Sequence, residues 1–253
     1  MLTNERAKAA AFRALESRFD EHVRLLREFL RIPSTLGNEK PAQLWMARQM
    51  RRLGLMVDLV DCDPTELSAV PGWTPADWPY AERPNVVGVW PGTEPDARSL
   101  ILNAHVDVTS PEPIELWSHD PWGAEIVGSR VYARGAHDDK AGGCEILLVV
   151  QALRKAGLRP RGTLMLQSVI EDECTGNGTL ALVARGYDAD AAIVVDGTGP
   201  GRAIVNHPGQ LAFRVTIYGK PAPWGGAHRA VNAIEKSMVC LLYTSPSPRD
   251  RQK

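Results

Sequence analysis

Three short, mostly apolar runs, Leu100 to Ala104, Leu164 to Ile170 and Ile193 to Val195, each stop on an imidazole or a carboxylate. Helical segments separate them. One runs from about Lys140 to Ala156 and is closed by Gly157 and Pro160; another starts at Thr179 and ends at Gly186. Strands that read as near-continuous apolar runs are covered on both faces, and strand–helix–strand alternation places helices there. The expected fold class is therefore α/β, with a largely parallel sheet flanked by helices.

The flanking sequence extends this frame. Apolar residues at helical spacing, among them Phe12, Leu15, Phe19, Val23, Leu26 and Leu30, predict one amphipathic helix from about Arg6 to Leu30. It stops at Ile32-Pro33-Ser34, because the residue before proline resists helical geometry. A second helix near Pro41 to Leu53 ends at Gly54, and a strand covers Leu55 to Val60. Asp61 to Arg83, rich in proline and carrying Trp73 and Trp78, reads as a surface loop of a length that often covers a site, with its tryptophans as packing anchors. Asn85 to Trp90 is a further strand. From Gln210 the pattern changes: Leu211 to Tyr218 alternates with period two, a Gly/Pro-rich link runs from Gly219 to Gly226, and a helix starts over Val231 to Met238. This reads as the opening of a second domain.

A net charge of -1 over 253 residues gives no electrostatic reason to bind nucleic acid or an anionic membrane. Met1 to Arg31 is charged throughout, unlike a signal peptide. No apolar run approaches the ~20 residues a bilayer span needs. Cys62, Cys144, Cys174 and Cys240 are scattered without a Cys-x-x-Cys pair, which fits a reducing cytoplasm.

Chemistry enters at the strand ends. In open parallel sheets, sites form outside the carboxyl ends of the strands. Here those ends carry His105-Val106-Asp107, Glu171-Asp172-Glu173 and Asp196, and a glycine-flanked turn adds Asp138. Singly, each reads as an ordinary polar strand end or helix cap. Together they match the oxygen and imidazole donors of a multivalent cation. A hydrolytic centre with two ions ~3.5–4 Å apart needs a bridging carboxylate and further ligands for each ion. Asp138 suits the bridge, His105 and Asp196 one ion, and Glu173 the other. Asp107, two residues beyond His105 on the same face of an extended segment, can take the ring's other proton or steady it. A free carboxylate in the 171–173 run can accept a proton from water.

These residues resemble the M20 family of metallopeptidases and deacylases, the group of acetylornithine deacetylase, succinyl-diaminopimelate desuccinylase and aminoacylase-1. The matching pieces are Arg31-Ile32-Pro33-Ser34, Ala104 to Val108, Trp117 to Trp122, Ala133 to Gly142, Glu171-Asp172-Glu173 before Gly176-Asn177-Gly178-Thr179, and Val231 to Lys236. The resemblance implies a zinc aminopeptidase-like catalytic domain interrupted by a small α+β lid that often dimerises. It implies His105, Asp138, Glu173 and Asp196 as ligands of two zinc ions, with cobalt or manganese as alternatives, and Asp107 as orienter. The substrate implied is a small N-acyl amino acid or dipeptide-like amide. The rival readings are a dipeptidase or carboxypeptidase, or a non-catalytic relative that binds metal or amino acid.

Three departures from the family pattern stand out. The usual general-base glutamate is Asp172 here, one methylene shorter; Glu171 could replace it only if the turn shifts register. The lid histidine is replaced by Pro223, and His228 comes five residues late. The last metal-binding histidine has no candidate. Cys240 to Lys253 resembles the translated read-through of a sequencing adaptor. The expected division is thus residues 1–206 as the first part of a catalytic domain, 207–238 as the start of a lid, and 239–253 as a non-native tail of a C-terminally truncated, inactive fragment.

Overall fold

The computed structural model describes residues 4–76, 78–197, 199, 201–206 and 215–244, with backbone alone for 239–244. The chain forms two compact units, 1–202 and 203–253. The first unit contains α1 (Asn4–Glu16), α2 (Phe19–Leu30), α3 (Lys40–Arg52), β1 (Met56–Val60), α4 (Pro64–Leu67), β2 (Asn85–Trp90), β3 (Leu100–His105), β4 (Glu125–Val127), β5 (Arg130–Tyr132), α5 (Lys140–Lys155), β6 (Leu164–Val169), α6 (Asn177–Ala184) and β7 (Ala191–Val194).

Five strands form one sheet in the order β1-β2-β6-β3-β7. β3 pairs in parallel with β6, from Leu100 opposite Leu164 to His105 opposite Val169, and in parallel with β7, from Leu100 opposite Ala191 to Asn103 opposite Val194. β2 runs antiparallel to both β1 and β6. Four of the five strands therefore point the same way, with β2 reversed between them. This alignment brings the carboxyl ends of β3, β6 and β7 to one edge.

Alternate strand residues face opposite layers, as the pleat requires. Val86, Leu102, Leu164 and Leu166 pack with Phe29, Trp45, Met46 and Ile146 from α2, α3 and α5. Val87, Val169 and Leu182 pack on the other face, beside β1's Val60. The Phe29 and Trp45 rings stack 4.5 Å apart at 8°. Each fully buried side chain of this size stabilises the fold by about 1.5–3 kcal/mol.

Two differences from the sequence reading are local. The single expected helix over 6–30 is split into α1 and α2: the Ser17 hydroxyl donates to Ala14 O, and Arg18 leaves helical geometry at φ -128. A serine side chain that bonds its own backbone competes with helix continuation. Phe12 and Phe19, expected on one buried face, remain exposed. The β4–β5 hairpin was missed, although Gly128 at φ 61 marks its turn between short alternating runs.

In the second unit, Lys220 and Val231 exchange two backbone hydrogen bonds of 2.9 Å, and α7 spans Ala233–Thr244, beyond the expected end at Met238. Of the strand expected over Leu211 to Tyr218, residues 211–214 lie outside the described residues, and Val215 to Tyr218 are not in a strand. The side chains beyond Met238, on which the reading of the tail depends, also lie outside them. Among the described residues, no helix is long and apolar enough to cross a membrane.

Candidate metal centre

His105 ends β3 and is 3% exposed. Its segment is held from below by the Ile32-Pro33-Ser34 stop: Ser34 Oγ donates to Val106 O at 2.6 Å, and Val108 N donates to Ser34 O at 3.0 Å. His105 Nδ1 lies 3.0 Å from the backbone carbonyl of Asp107, which can only accept, so Nδ1 carries the proton. Nε2 then faces Asp138 Oδ1 at 2.9 Å and Asp172 Oδ2 at 3.9 Å.

One donor atom from each of His105, Asp138 and Asp196 lies within 4.8 Å of the other two. Asp138 precedes α5 and its side chain is 57% exposed, while Asp196 follows β7 and is exposed. Glu173 is outside that trio. It is nevertheless close enough that, after burial, the charge of Asp138 helps push its carboxyl above the usual range. Asp172 is also pushed up, by burial first and then by Asp107, Asp196 and Asp138 acting against His105. Burial works against a charged His105 ring, but the hydrogen bond to Asp107 and the charges of Asp107, Asp172 and Asp139 outweigh it, so its pKa rises to about 10. Carboxylates whose protonation is favoured by burial and mutual repulsion, around an imidazole, are the setting that a multivalent cation relieves. The donor set fits such an ion.

Asp107 has a further task beside the expected one of steadying the His105 ring, which its charge and its contacts with Nδ1 support. Its fully buried carboxylate accepts the backbone N–H of Asp172 at Oδ1 (3.2 Å) and of Glu173 at Oδ2 (3.1 Å), with His105 Nδ1 3.5 Å from Oδ1. It therefore joins the end of β3 to the acidic turn after β6, while the residue steadies the ring both through its backbone carbonyl and through its carboxylate charge. Glu171 departs from expectation as a substitute base. It is fully buried, and both of its oxygens are occupied by donors: Trp78 Nε1 (2.5 Å) and Arg83 Nη1 (2.9 Å) on one, Tyr80 OH (2.8 Å) and Thr175 Oγ1 (2.7 Å) on the other. The 61–83 segment, expected as a surface loop, supplies three of those donors.

Sequence reasoning also passed over Asp139. It caps α5 through Gly142 N (3.1 Å) and accepts His105 N at 3.2 Å, and burial raises its pKa to about 8 despite His105's opposing charge. Lys140, fully buried, donates to the carbonyls of Phe29 and Ile32, and burial lowers its pKa to about 7. The doubled acid before a lysine was the available signal. Close approach completes the geometry: a Cβ on Gly142 would sit 2.2 Å from Asp139 Oδ1 and 2.3 Å from Val195 O. That gap lets the end of β7 bring Asp196 beside α5. Gly142→Ala should therefore cost about 1–3 kcal/mol of stability by overpacking, read as a lower urea midpoint. An unchanged midpoint would contradict this account of how Asp196 is placed.

Residues 101–250 match the model of peptidase family M20/M25/M40. The chain is 34% identical over 194 residues to N-formyl-4-amino-5-aminomethyl-2-methylpyrimidine deformylase of Bacillus subtilis (strain 168), covering 72% of this chain and 41% of that protein. It is 26% identical over 221 residues to succinyl-diaminopimelate desuccinylase of Variovorax paradoxus (strain S110), covering 84% and 53%. The chain thus spans about half the length of these relatives, or less. Among solved structures, the Saccharomyces cerevisiae di-peptidase Dug1p aligns with a TM-score of 0.63 at 17% identity, over 74% of this chain and 40% of that one. That likeness concerns the fold.

Proposed function

The chain belongs to peptidase family M20/M25/M40, and from that premise we propose that the whole protein is a metal-dependent amidohydrolase that removes an acyl group from an N-acyl amino acid or a related small amide. The two relatives named above are, by name, a deformylase and a desuccinylase, which favours deacylation over peptide cleavage. The observation that carries the reading is the His105–Asp138–Asp196 trio within 4.8 Å at the sheet edge, with Asp172 beside it.

His105, Asp138, Glu173 and Asp196 would hold two zinc ions, and cobalt or manganese would suit the same donors. When bound, such ions supply Lewis acidity, polarising an amide carbonyl and acidifying water. The chain's own residues do the rest. Asp107 fixes the amides of Asp172 and Glu173, so both carboxylates are presented from a held backbone. The Nδ1 proton of His105, given to Asp107 O, leaves Nε2 to face the ligand set. Asp172, with its carboxyl pushed up and its side chain 47% exposed, takes the proton of the attacking water and returns it to the leaving amine nitrogen. We further assign residues 1–206 to the catalytic domain and 207–238 to a lid through which the protein dimerises, in a cytoplasmic setting.

The test is hydrolysis of N-acetyl, N-formyl and N-succinyl amino acids by the full-length protein, before and after chelation and zinc readdition. Activity that chelator abolishes and zinc restores is expected. Cleavage of dipeptides in preference to N-acyl amino acids would move the assignment to a dipeptidase, and turnover indifferent to chelator would refute it.

A further inference from the structure

We propose that Glu171 is a positioning residue: its buried web with Arg83, Glu39, Trp78, Tyr80 and Thr175 sets the turn that presents Asp172 and Glu173. The zinc part of this inference rests on the metal reading above.

Arg83 is 3% exposed, and Glu39 and Glu171 are fully buried. Such charges are tolerated inside a protein only when they are paired and their hydrogen-bonding capacity is filled. Arg83 meets both acids. It grips Glu39 with two bonds, Nε to Oε2 at 2.8 Å and Nη2 to Oε1 at 2.6 Å, and reaches Glu171 with Nη1. Four donors meet the two oxygens of Glu171, so no lone pair is left to take a proton in catalysis.

The backbone explains what this web is for. Glu171 sits at φ 67, the left-handed region that a non-glycine residue enters at a cost. Its carbonyl accepts both Thr175 N (3.1 Å) and Gly176 N (2.7 Å), closing a tight turn just past β6. Asp172 and Glu173 lie inside that turn. Asp107 holds their amides, and the Glu171 side chain anchors the entry to the turn. A side chain tied at four points over-determines a conformation that the backbone alone would not keep. The donors Trp78, Tyr80 and Arg83 all come from one segment, itself tied to the start of α6 through Tyr80 OH, which accepts Asn177 Nδ2 at 2.7 Å. The segment thus acts on the site from behind, by fixing its acidic turn.

The full 253-residue chain provides the test. Zinc affinity would be measured by competition with a chromogenic chelator, and amide exchange at Asp172 and Glu173 by NMR without zinc, well below the unfolding temperature. Glu171→Gln should weaken zinc binding by about 10–100-fold, the range seen when groups that orient metal ligands are removed, and should speed exchange at both amides. Thr175→Val, which removes one donor at nearly constant volume, should move both readouts the same way by less, and decides the question if Glu171→Gln does not fold. Arg161→Gln, which breaks an exposed pair with Glu94, should move neither. Unchanged affinity and exchange in a folded Glu171→Gln or Thr175→Val chain would overturn the inference. If the unsubstituted chain takes no zinc, the metal reading fails, while exchange still decides whether Glu171 sets the turn.

Discussion

Asp172→Asn should lower kcat of the full-length enzyme by about 10²–10⁴-fold, the usual contribution of a positioned acid–base group. Bound metal should remain unchanged. The carboxylate is 3.9 Å from His105 Nε2, on a turn whose backbone is fixed by Asp107. It has an exposed face toward which a water and a substrate amide can approach. Asparagine keeps the shape and removes the proton acceptor, so the loss should fall on kcat rather than on KM. Asp172→Glu tests the complementary point. Glutamate reaches one methylene further, and a misplacement of about 1 Å can cost 10²-fold. A faster Asp172→Glu enzyme would show that the shorter side chain is a handicap. Wild-type turnover in Asp172→Asn, with metal in place, would remove Asp172 from the role of base.

The second large effect concerns stability. Arg83→Met should cost about 3–5 kcal/mol, because removing one partner of a buried ionic cluster leaves uncompensated charge inside the protein. Here two carboxylates, Glu39 and Glu171, would be stranded at once. The double variant Arg83→Met/Glu39→Gln should recover part of the loss, since one stranded charge is then gone. Exposed pairs such as Arg185–Glu66 should matter little by comparison, being screened by water. Urea unfolding gives both comparisons. An Arg83→Met midpoint equal to that of the parent would mean that the cluster contributes nothing to folding.

The difference between these residues and the proposed metal ligands is also a difference in what a sequence can reveal. The cluster of His105, Asp138 and Asp196 was legible because these residues terminate or adjoin segments whose periodicity is local. A strand-length apolar run announces its own end, and parallel strands joined by helices bring their ends to one edge. The sheet followed from the same signals. Its reversed strand β2 did not, because strand direction depends on which neighbour a strand pairs with. The break between α1 and α2 was hidden for a related reason: the Ser17 hydroxyl chose its own backbone over helix continuation, against an apolar pattern that runs on unbroken.

By itself, then, the sequence determined the α/β layering, the order of its elements and the residues gathered at the sheet's carboxyl edge. Only the tertiary structure decided which acid of the Glu171-Asp172-Glu173 run faces the ligand set and which is buried behind it. Three neighbouring carboxylates look alike in one dimension. Glu171 is distinguished by Arg83, 88 residues away, and by Trp78 and Tyr80 from the same distant segment. Burial and hydrogen-bond partners at such separations arise from packing, which assigns a buried charge to wherever its counter-charge and donors already converge.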